Sequence, residues 1–553
     1  VNSDWVSRAT EVQGLVRALV DSFQESSLQY ALPANPPMIL DTTATIDASR
    51  SDGGIKWHPP RFIGGGLVPP AGYTTPVVPE SSARMETAAL VSRVCLVKVH
   101  NTDSFWSQAL NVFLSRVQAE VGPLEPVDVP STIAWIWSLH LPFSRRQHLV
   151  EVYQHKRGNL LAGQAHPHQA FVKQELFPYT KAIDGLTGRL IQAMSEEEYI
   201  ATGPFVSSCA NVWHQKLSIH RQGATFYWPL GNPRELGDWW RDLRQRYAGL
   251  DVTILEIDGE KWDGRITCPA IRAFHEVLNL QGLSKHRACA TVLAQQTKTV
   301  GYTKHNIKYS VDGTVKSGDH TTSVGNTLMG LMAYYHVLHQ MGAKDITIAQ
   351  CGDDNLCVFV KPDFDLQAFA LSVRASGIEP KILVRNWETA SFCSCYFVPN
   401  FASYVAVVKP GRLLSKLGYT LSTIALQPAE EPAFFAAILK STEVGAMCHP
   451  LLAAIWQRVY DAIQGLPKHG RSWRRGFYLG WEHYWSTHMF SMHAKPDFDF
   501  NVVPPAPRQP VDPLAVQQFM ILYGADPNAM AEEFLQSRHG RDSVVRRLLE
   551  AES

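Results

Sequence analysis

The residues able to do chemistry in this chain are acidic and basic side chains set at turns and element ends. Residues 349–360 read Ala-Gln-Cys-Gly-Asp-Asp-Asn-Leu-Cys-Val-Phe-Val, two apolar strand-like runs on either side of Gly352-Asp353-Asp354. That pattern predicts a β-hairpin with neighbouring carboxylates at its tip. Such carboxylates repel and raise each other's pKa unless a cation neutralises them, and the hard ions Mg2+ and Mn2+ take oxygen ligands. Gly-Asp-Asp is also a common turn, so its weight depends on the company it keeps. A second acidic pair follows the β-rich run 250–257, with Asp258 at the strand end and Asp263 after a turn, ahead of a helix predicted over 269–280. A carboxylate at the strand end can bind a metal with Asp263 facing the same cleft, or Asp258 is a turn residue and Asp263 caps the helix.

Two further groups carry polar chemistry. Ser317-Gly318 precedes a helix predicted over 327–340, a pliable loop with N–H donors at its exit. Thr322 and Asn326 are four apart and share a helix face, and the polar Asn326 at the edge of an apolar run is not explained by an ordinary polar helix start. Upstream, Phe171-Val172-Lys173-Gln174-Glu175-Leu176-Phe177 and Gly188-Arg189-Leu190-Ile191-Gln192-Ala193 read as strands joined by a loop, presenting Lys173, Lys181 and Arg189. Cations held this way suit triphosphate oxygens, the arginine as a planar fork, although a solvated hairpin has the same pattern.

The elements that must position these groups belong to a long chain. With 553 residues, 45% apolar and 18% charged, it is an ordinary globular composition with room for several subdomains. Lys plus Arg (51) balances Asp plus Glu (51), which excludes a global positive field and leaves any nucleic-acid surface to local patches. The nine cysteines are an odd number without a disulfide framework, which predicts reduced thiols in a cytosolic compartment. Cys351, Cys357, Cys393 and Cys395 lack zinc-site spacing and read as small buried strand residues. No apolar run is long enough to span a bilayer and no signal peptide opens the chain. Val1 implies either trimming or a larger precursor.

In order, the pattern predicts a helix within 1–30, a Pro/Gly-rich arm over 31–82 draped on another surface, and a helical block over 81–120. Arg145-Arg146 is a basic pair at a proline break, or a solvated charge pair. After the acidic hairpin come a helix over 364–377 ended by Gly377, a strand with Lys381, a hairpin over 392–408, and Lys409-Pro410-Gly411-Arg412. The remainder reads as helical. Lys468 to Arg475, with Trp473 among the cations, suits single-stranded nucleic acid or a solvated helix end. His483, His488 and His493 read as structural, and a Pro-rich linker over 496–513 precedes a final helical tail.

Taken in chain order, these pieces resemble the right-handed RNA-dependent RNA polymerases of positive-strand RNA viruses, most closely the tombusvirus- and nodavirus-like lineage. Lys173 to Gln192 is similar to the fingers motif, Asp258-x4-Asp263 to the first palm motif, Ser317 to Asn326 to the second and Gly352-Asp353-Asp354 to the third. Gly377 to Lys381 resembles the fourth, and Phe392-Cys393-Ser394 the primer grip. The resemblance implies an α+β right-hand fold, its palm sheet flanked by helices. It would have an N-terminal arm (1–125) bridging to the fingers, fingers (126–249, 276–312), palm (250–275, 313–412) and a mainly helical thumb with tail (413–553). It implies template-directed joining of NTPs with two Mg2+ (or Mn2+) ions held by Asp258, Asp353 and Asp354. Lys381 would be the general acid, and Lys173, Lys181 and Arg189 the triphosphate ligands. Asp263 and Asn326 would read the ribose, directly or through Ser317, beside Gly318 and Thr322. RNA template, nascent RNA, NTPs and other viral replication proteins would be its partners, in membrane-associated complexes of the host cytoplasm or carried with viral particles. A reverse transcriptase and a catalytically dead polymerase-fold RNA-binding protein are the alternatives.

Overall fold

The computed structural model describes residues 40–47, 55–156, 167–179, 187–421, 424–464, 470–487 and 510–552. The helix expected within 1–30, the candidate Lys181, Lys468, His488, His493 and nearly all of the expected linker lie outside them, as does the side chain of His483.

The acidic runs meet in a five-stranded sheet of β1 (Phe226–Tyr227), β2 (Thr253–Gly259), β3 (Lys344–Cys351), β4 (Asp354–Val360) and β5 (Pro380–Arg385). Its order is β5-β2-β4-β3-β1, antiparallel except for the parallel β3–β1 pair. Strand side chains alternate between faces, and the sheet is covered on both. Leu255, Ile257, Cys357 and Phe359 face a core that also takes residues from α1 (Asp103–Val121), α2 (Cys268–Leu280), α3 (Thr321–Gln340) and α4 (Leu366–Arg374). Ile254, Leu356 and Val358 face the other way, onto Trp239, Trp240 and Phe397. Burial on nearly every side makes α3 an almost continuous apolar run. It starts at Thr321 rather than 327, so Thr322 and Asn326 lie inside it. At Gly330 a Cβ would come 2.4 Å from the Gln350 amide, so a larger residue there would push that hydrogen-bonded side chain aside.

Beyond β5, a three-stranded sheet β6 (Ser391–Phe392), β7 (Cys395–Asn400) and β8 (Ser403–Val408) leads into α5 (Pro410–Leu414). The strands expected around Lys173 and Arg189 belong to another five-stranded sheet, His168–Val172 pairing antiparallel with Leu190–Ala193.

Three expectations need correction. The helical block over 81–120 is broken between 95 and 102, where Asn101 takes a left-handed conformation (φ 63°) before α1 begins. The final helices are no appended tail. Pro513–Tyr523, Pro527–Gln536 and α6 (Arg538–Glu552) bury Phe519, Phe534, Val544 and Leu548 in the same core as Glu431–Ala446 and Pro450–Gln464. Trp473 is only 4% exposed in that core, so its ring cannot stack on a base, and Arg475 pairs with Glu430 at 2.6 Å.

Residues 55–79 behave as the draped arm. Trp57–His58 pairs with Val78–Pro79, Val77 bridges to Phe177, and the Gln174 amide donates to Pro79 O at 2.9 Å. Between them, Arg61–Phe62 pairs with Tyr419–Thr420. The arm is pinned at Gly72, Tyr73 and Thr74, whose backbone N–H groups donate to the Asp542 carboxylate of α6.

Candidate active site

Asp258 sits on β2 directly opposite both Asp354 on β4 and Lys381 on β5. Residues directly opposite in antiparallel pairs put their side chains on the same face. Three strands thus bring two carboxylates and an amine to one end of the sheet, with Asp353 at the adjoining turn. Gly352 takes φ 62°, which a side chain would strain. The turn is held by α3 and by a buried amide pair: Gly352 N donates to Thr327 Oγ1 (2.9 Å), Gln350 Nε2 to Gly352 O (2.8 Å) and Asn355 Nδ2 to Gln350 Oε1 (2.7 Å).

Asp258 and Asp353 are exposed and Asp354 is half-buried. Protein crowding nevertheless removes much of the water around Asp353 and Asp354. Burial, then the charges of Asp353 and Asp258, push Asp354 up to about 7, opposed by Arg412 and by the Cys393 thiol. Asp353 is likewise raised, by burial and by Asp258, with its own backbone N–H and Arg189 opposing. Among the described residues, no three His, Cys, Asp or Glu side chains converge closely enough to hold an ion as they stand.

Asp263 accepts a hydrogen bond from Asn326 Nδ2 at 2.9 Å. Burial lifts its carboxyl to about 7, the Asn326 bond opposing and Asp353 adding to the rise. Asn326 is buried, and its Oδ1 has no hydrogen-bond partner among the described residues. The hydroxyl protons of Ser317 and Thr322 go to backbone carbonyls, Ser317 to Leu190 O (2.9 Å) and Thr322 to Lys316 O (2.6 Å), leaving only their lone pairs for a ligand. Gly318 bridges to Ala193, where a Cβ would stand 2.4 Å from Gln192 O.

Arg189 is exposed but already forked onto Glu175, with Nε to Oε1 at 2.6 Å and a shorter second bond from Nη2 to Oε2. Lys173 joins the same carboxylate at 3.7 Å. Burial alone would raise Glu175, but these cations, chiefly Arg189, hold it low. Arg189 still acts on Asp353 and Asp263, so cation and acidic cluster share one electrostatic neighbourhood. Lys381 is exposed opposite Asp258.

Four residues escaped the sequence reading. Glu175, an acid between two cations, had a visible signal, and so did Gln350 and Asn355, polar residues in apolar strands. Arg93, whose charge reaches Asp263, is a lone arginine with none.

Two carboxylates and an amine thus share one sheet face, and the charges of Arg189 and Arg412 reach the acidic turn beside them. Comparison with known proteins narrows the class. Residues 255–497 match the family model described as viral RNA dependent RNA polymerase. The chain is similar to the RNA-directed RNA polymerase of Pothos latent virus (isolate Pigeonpea/India), 30% identical over 166 residues, 29% of this chain and 22% of that one. It is similar to the RNA-directed RNA polymerase of Tobacco necrosis virus (strain A), 25% identical over 241 residues, 41% and 32% of the two chains. It also matches the genome polyprotein of Papaya ringspot virus (strain W), 23% identical over 262 residues, 44% and 38% of the two. The match spans well under two thirds of each relative. The resemblance drawn from the motifs, to viral RNA-dependent RNA polymerases with a tombusvirus-like lineage among them, is borne out across that span.

Proposed function

We propose that this chain is an RNA-directed RNA polymerase that joins NTPs on an RNA template and so replicates a viral RNA genome. The observation that carries the reading is the register placing Asp258 between Asp354 and Lys381. In this reading the sheet β1–β5 is the palm, residues 126–249 and 276–312 the fingers, and the helices after 413 the thumb. The arm 1–125 bridges them through residues 55–79.

The donor set fits divalent cations. It is all oxygen, it comes from two neighbouring strands and the turn beside them, and the Asp353 and Asp354 carboxyls are raised partly by repulsion that a cation would relieve. Asp258 and Asp353 would be the main ligands of two Mg2+ or Mn2+ ions, with Asp354 secondary. When bound, such ions favour ionisation of an attacking hydroxyl and neutralise a triphosphate.

The remaining work falls to this chain's side chains. Arg189, oriented by Glu175, and Lys173 and Lys181 hold the triphosphate, so electrostatic positioning is the main contribution. Lys381 gives a proton to the departing pyrophosphate. Asn326 Oδ1 takes a hydrogen bond from the ribose 2′-hydroxyl while Asp263 fixes its amide, with Ser317, Gly318 and Thr322 shaping the loop beside it. Template sequence is read by base pairing, without sequence-specific protein contacts. Among the described residues no helix is long and apolar enough to cross a membrane. Work in membrane-associated complexes of the host cytoplasm, or carriage with viral particles, therefore calls on other segments or other viral replication proteins.

The test is divalent-dependent incorporation of NTPs on an RNA template, with Asp353→Ala as control. Incorporation by the native chain, lost in a folded Asp353→Ala, supports the reading. No incorporation points to a dead polymerase-fold RNA-binding protein, and a preference for dNTPs points to a reverse transcriptase.

A further inference from the structure

Beside the acidic cluster lies a turn whose support comes from far along the chain. Cys393 and Ser394 join β6 to β7 with φ of 50° and 62°, the only adjacent non-glycine pair with positive φ among the described residues. Residues with a side chain adopt this conformation at a cost, so their surroundings must hold it. Here Arg412 Nη1 donates to Ser394 Oγ, and Lys409 N donates to Ser394 O at 3.0 Å. The exposed Arg412 also acts on Asp354 by charge, and Cys393 by a hydrogen bond.

Arg412 lies in α5, which is gripped from behind. Gly411 N donates to Glu552 Oε1 at 2.7 Å and Arg412 N to Glu552 Oε2 at 3.2 Å. Tyr523 OH donates to Glu552 Oε1 at 2.9 Å. At Gly411 a Cβ would stand 2.8 Å from Glu552 Oε2 and 2.9 Å from Leu548 Cβ, so α6 approaches only because that position is glycine. A half-buried carboxyl group on two backbone amides fixes where α5 starts, and hence where the Arg412 side chain is launched.

We propose that Glu552 is a positioning residue for polymerisation, seating α5 so that Arg412 braces the Cys393–Ser394 turn and faces Asp354. The inference rests on the polymerase reading. It gives α6 a part in aiming the acidic cluster, acting through Arg412.

The experiment is single-nucleotide addition to an RNA primer-template, with thermal unfolding measured on each variant. Glu552→Ala and Arg412→Ala each lower kcat about tenfold or more and leave the NTP KM within about twofold. Because Glu552 works through Arg412, the double variant is no slower than the slower single one. Glu552→Gln, which keeps a carbonyl acceptor, recovers most of kcat. Losses that multiply in the double variant, or an unchanged kcat in folded Glu552→Ala, overturn the proposal. If Glu552→Ala does not fold, Tyr523→Phe carries the test, and an unchanged kcat there overturns it equally. An inactive native chain would instead overturn the polymerase reading.

Discussion

Asn326 Nδ2 donates to Asp263 Oδ1 at 2.9 Å, while the buried Oδ1 of the same Asn326 has no partner among the described residues. The bond fixes which way the amide faces, and under the proposed function the amide oxygen is the acceptor for the ribose hydroxyl. A buried acceptor without a partner is costly, and a ligand hydroxyl relieves that cost.

Removing the acceptor should therefore cost selectivity before speed. In Asn326→Ala, the ratio of kcat/KM for NTP over dNTP is expected to fall about tenfold or more, with NTP incorporation less affected. Competition between NTP and dNTP on one template measures the ratio, and an unchanged value would refute the role.

Lys381 stands across the sheet from Asp258. As proton donor to the leaving group, its loss in Lys381→Ala should lower kcat by about a hundredfold with little change in NTP KM. Pre-steady-state incorporation is the appropriate measurement. A KM effect alone would make Lys381 a substrate-binding residue instead.

The contact of Gly330 with Gln350 is a question of space. Gly330→Ala puts a methyl group where Gln350 lies, 2.4 Å from its side chain, and disturbs the amides that hold the acidic turn. Overpacking of this kind costs about 1–3 kcal/mol, outweighing the helix propensity alanine gains, so denaturant unfolding should show a net loss.

His320 supplies a pH dependence. It stacks on Tyr199 (centroids 4.1 Å apart), lies near Trp135, shares a hydrogen bond with Thr202, and feels one nearby charge, that of Asp319. Burial lowers its pKa from 6.5 to about 4 against the pull of Asp319. The unfolded chain therefore takes up a proton that the folded chain resists. This contribution to stability is intact above pH 6.5 and is lost progressively as pH falls towards 4. In His320→Gln the melting temperature should fall less over that interval than in the native chain. Parallel curves would remove the assignment.

The acidic hairpin was legible because its signals are local: apolar runs either side of a Gly-Asp-Asp turn, and alternation that keeps Asp354 off the helical face. That Asp258 would lie between Asp354 and Lys381 was not legible from spacing, since the order β5-β2-β4-β3-β1 is a matter of long-range pairing. The start of α3 was misplaced because its Thr- and Ser-rich first turn has poor helix propensity, which packing overrides. The sequence leaves Trp473 between a base-stacking ring and a solvated helix end, because the helices that cover it are not visible in local spacing. Glu175 could have been paired with Arg189 from charge alternation. Arg93 and Glu552 reach their partners only through the fold.

The strap of residues 55–79 has a mechanical consequence. It is stitched at one end to the strand region around Phe177, and further in to Tyr419 and to the carboxylate of Asp542. Two regions far apart in the sequence are therefore tied together by this one segment of the arm. Drawing those regions apart would mean peeling three backbone amides from one buried acid, so the strap opposes their separation.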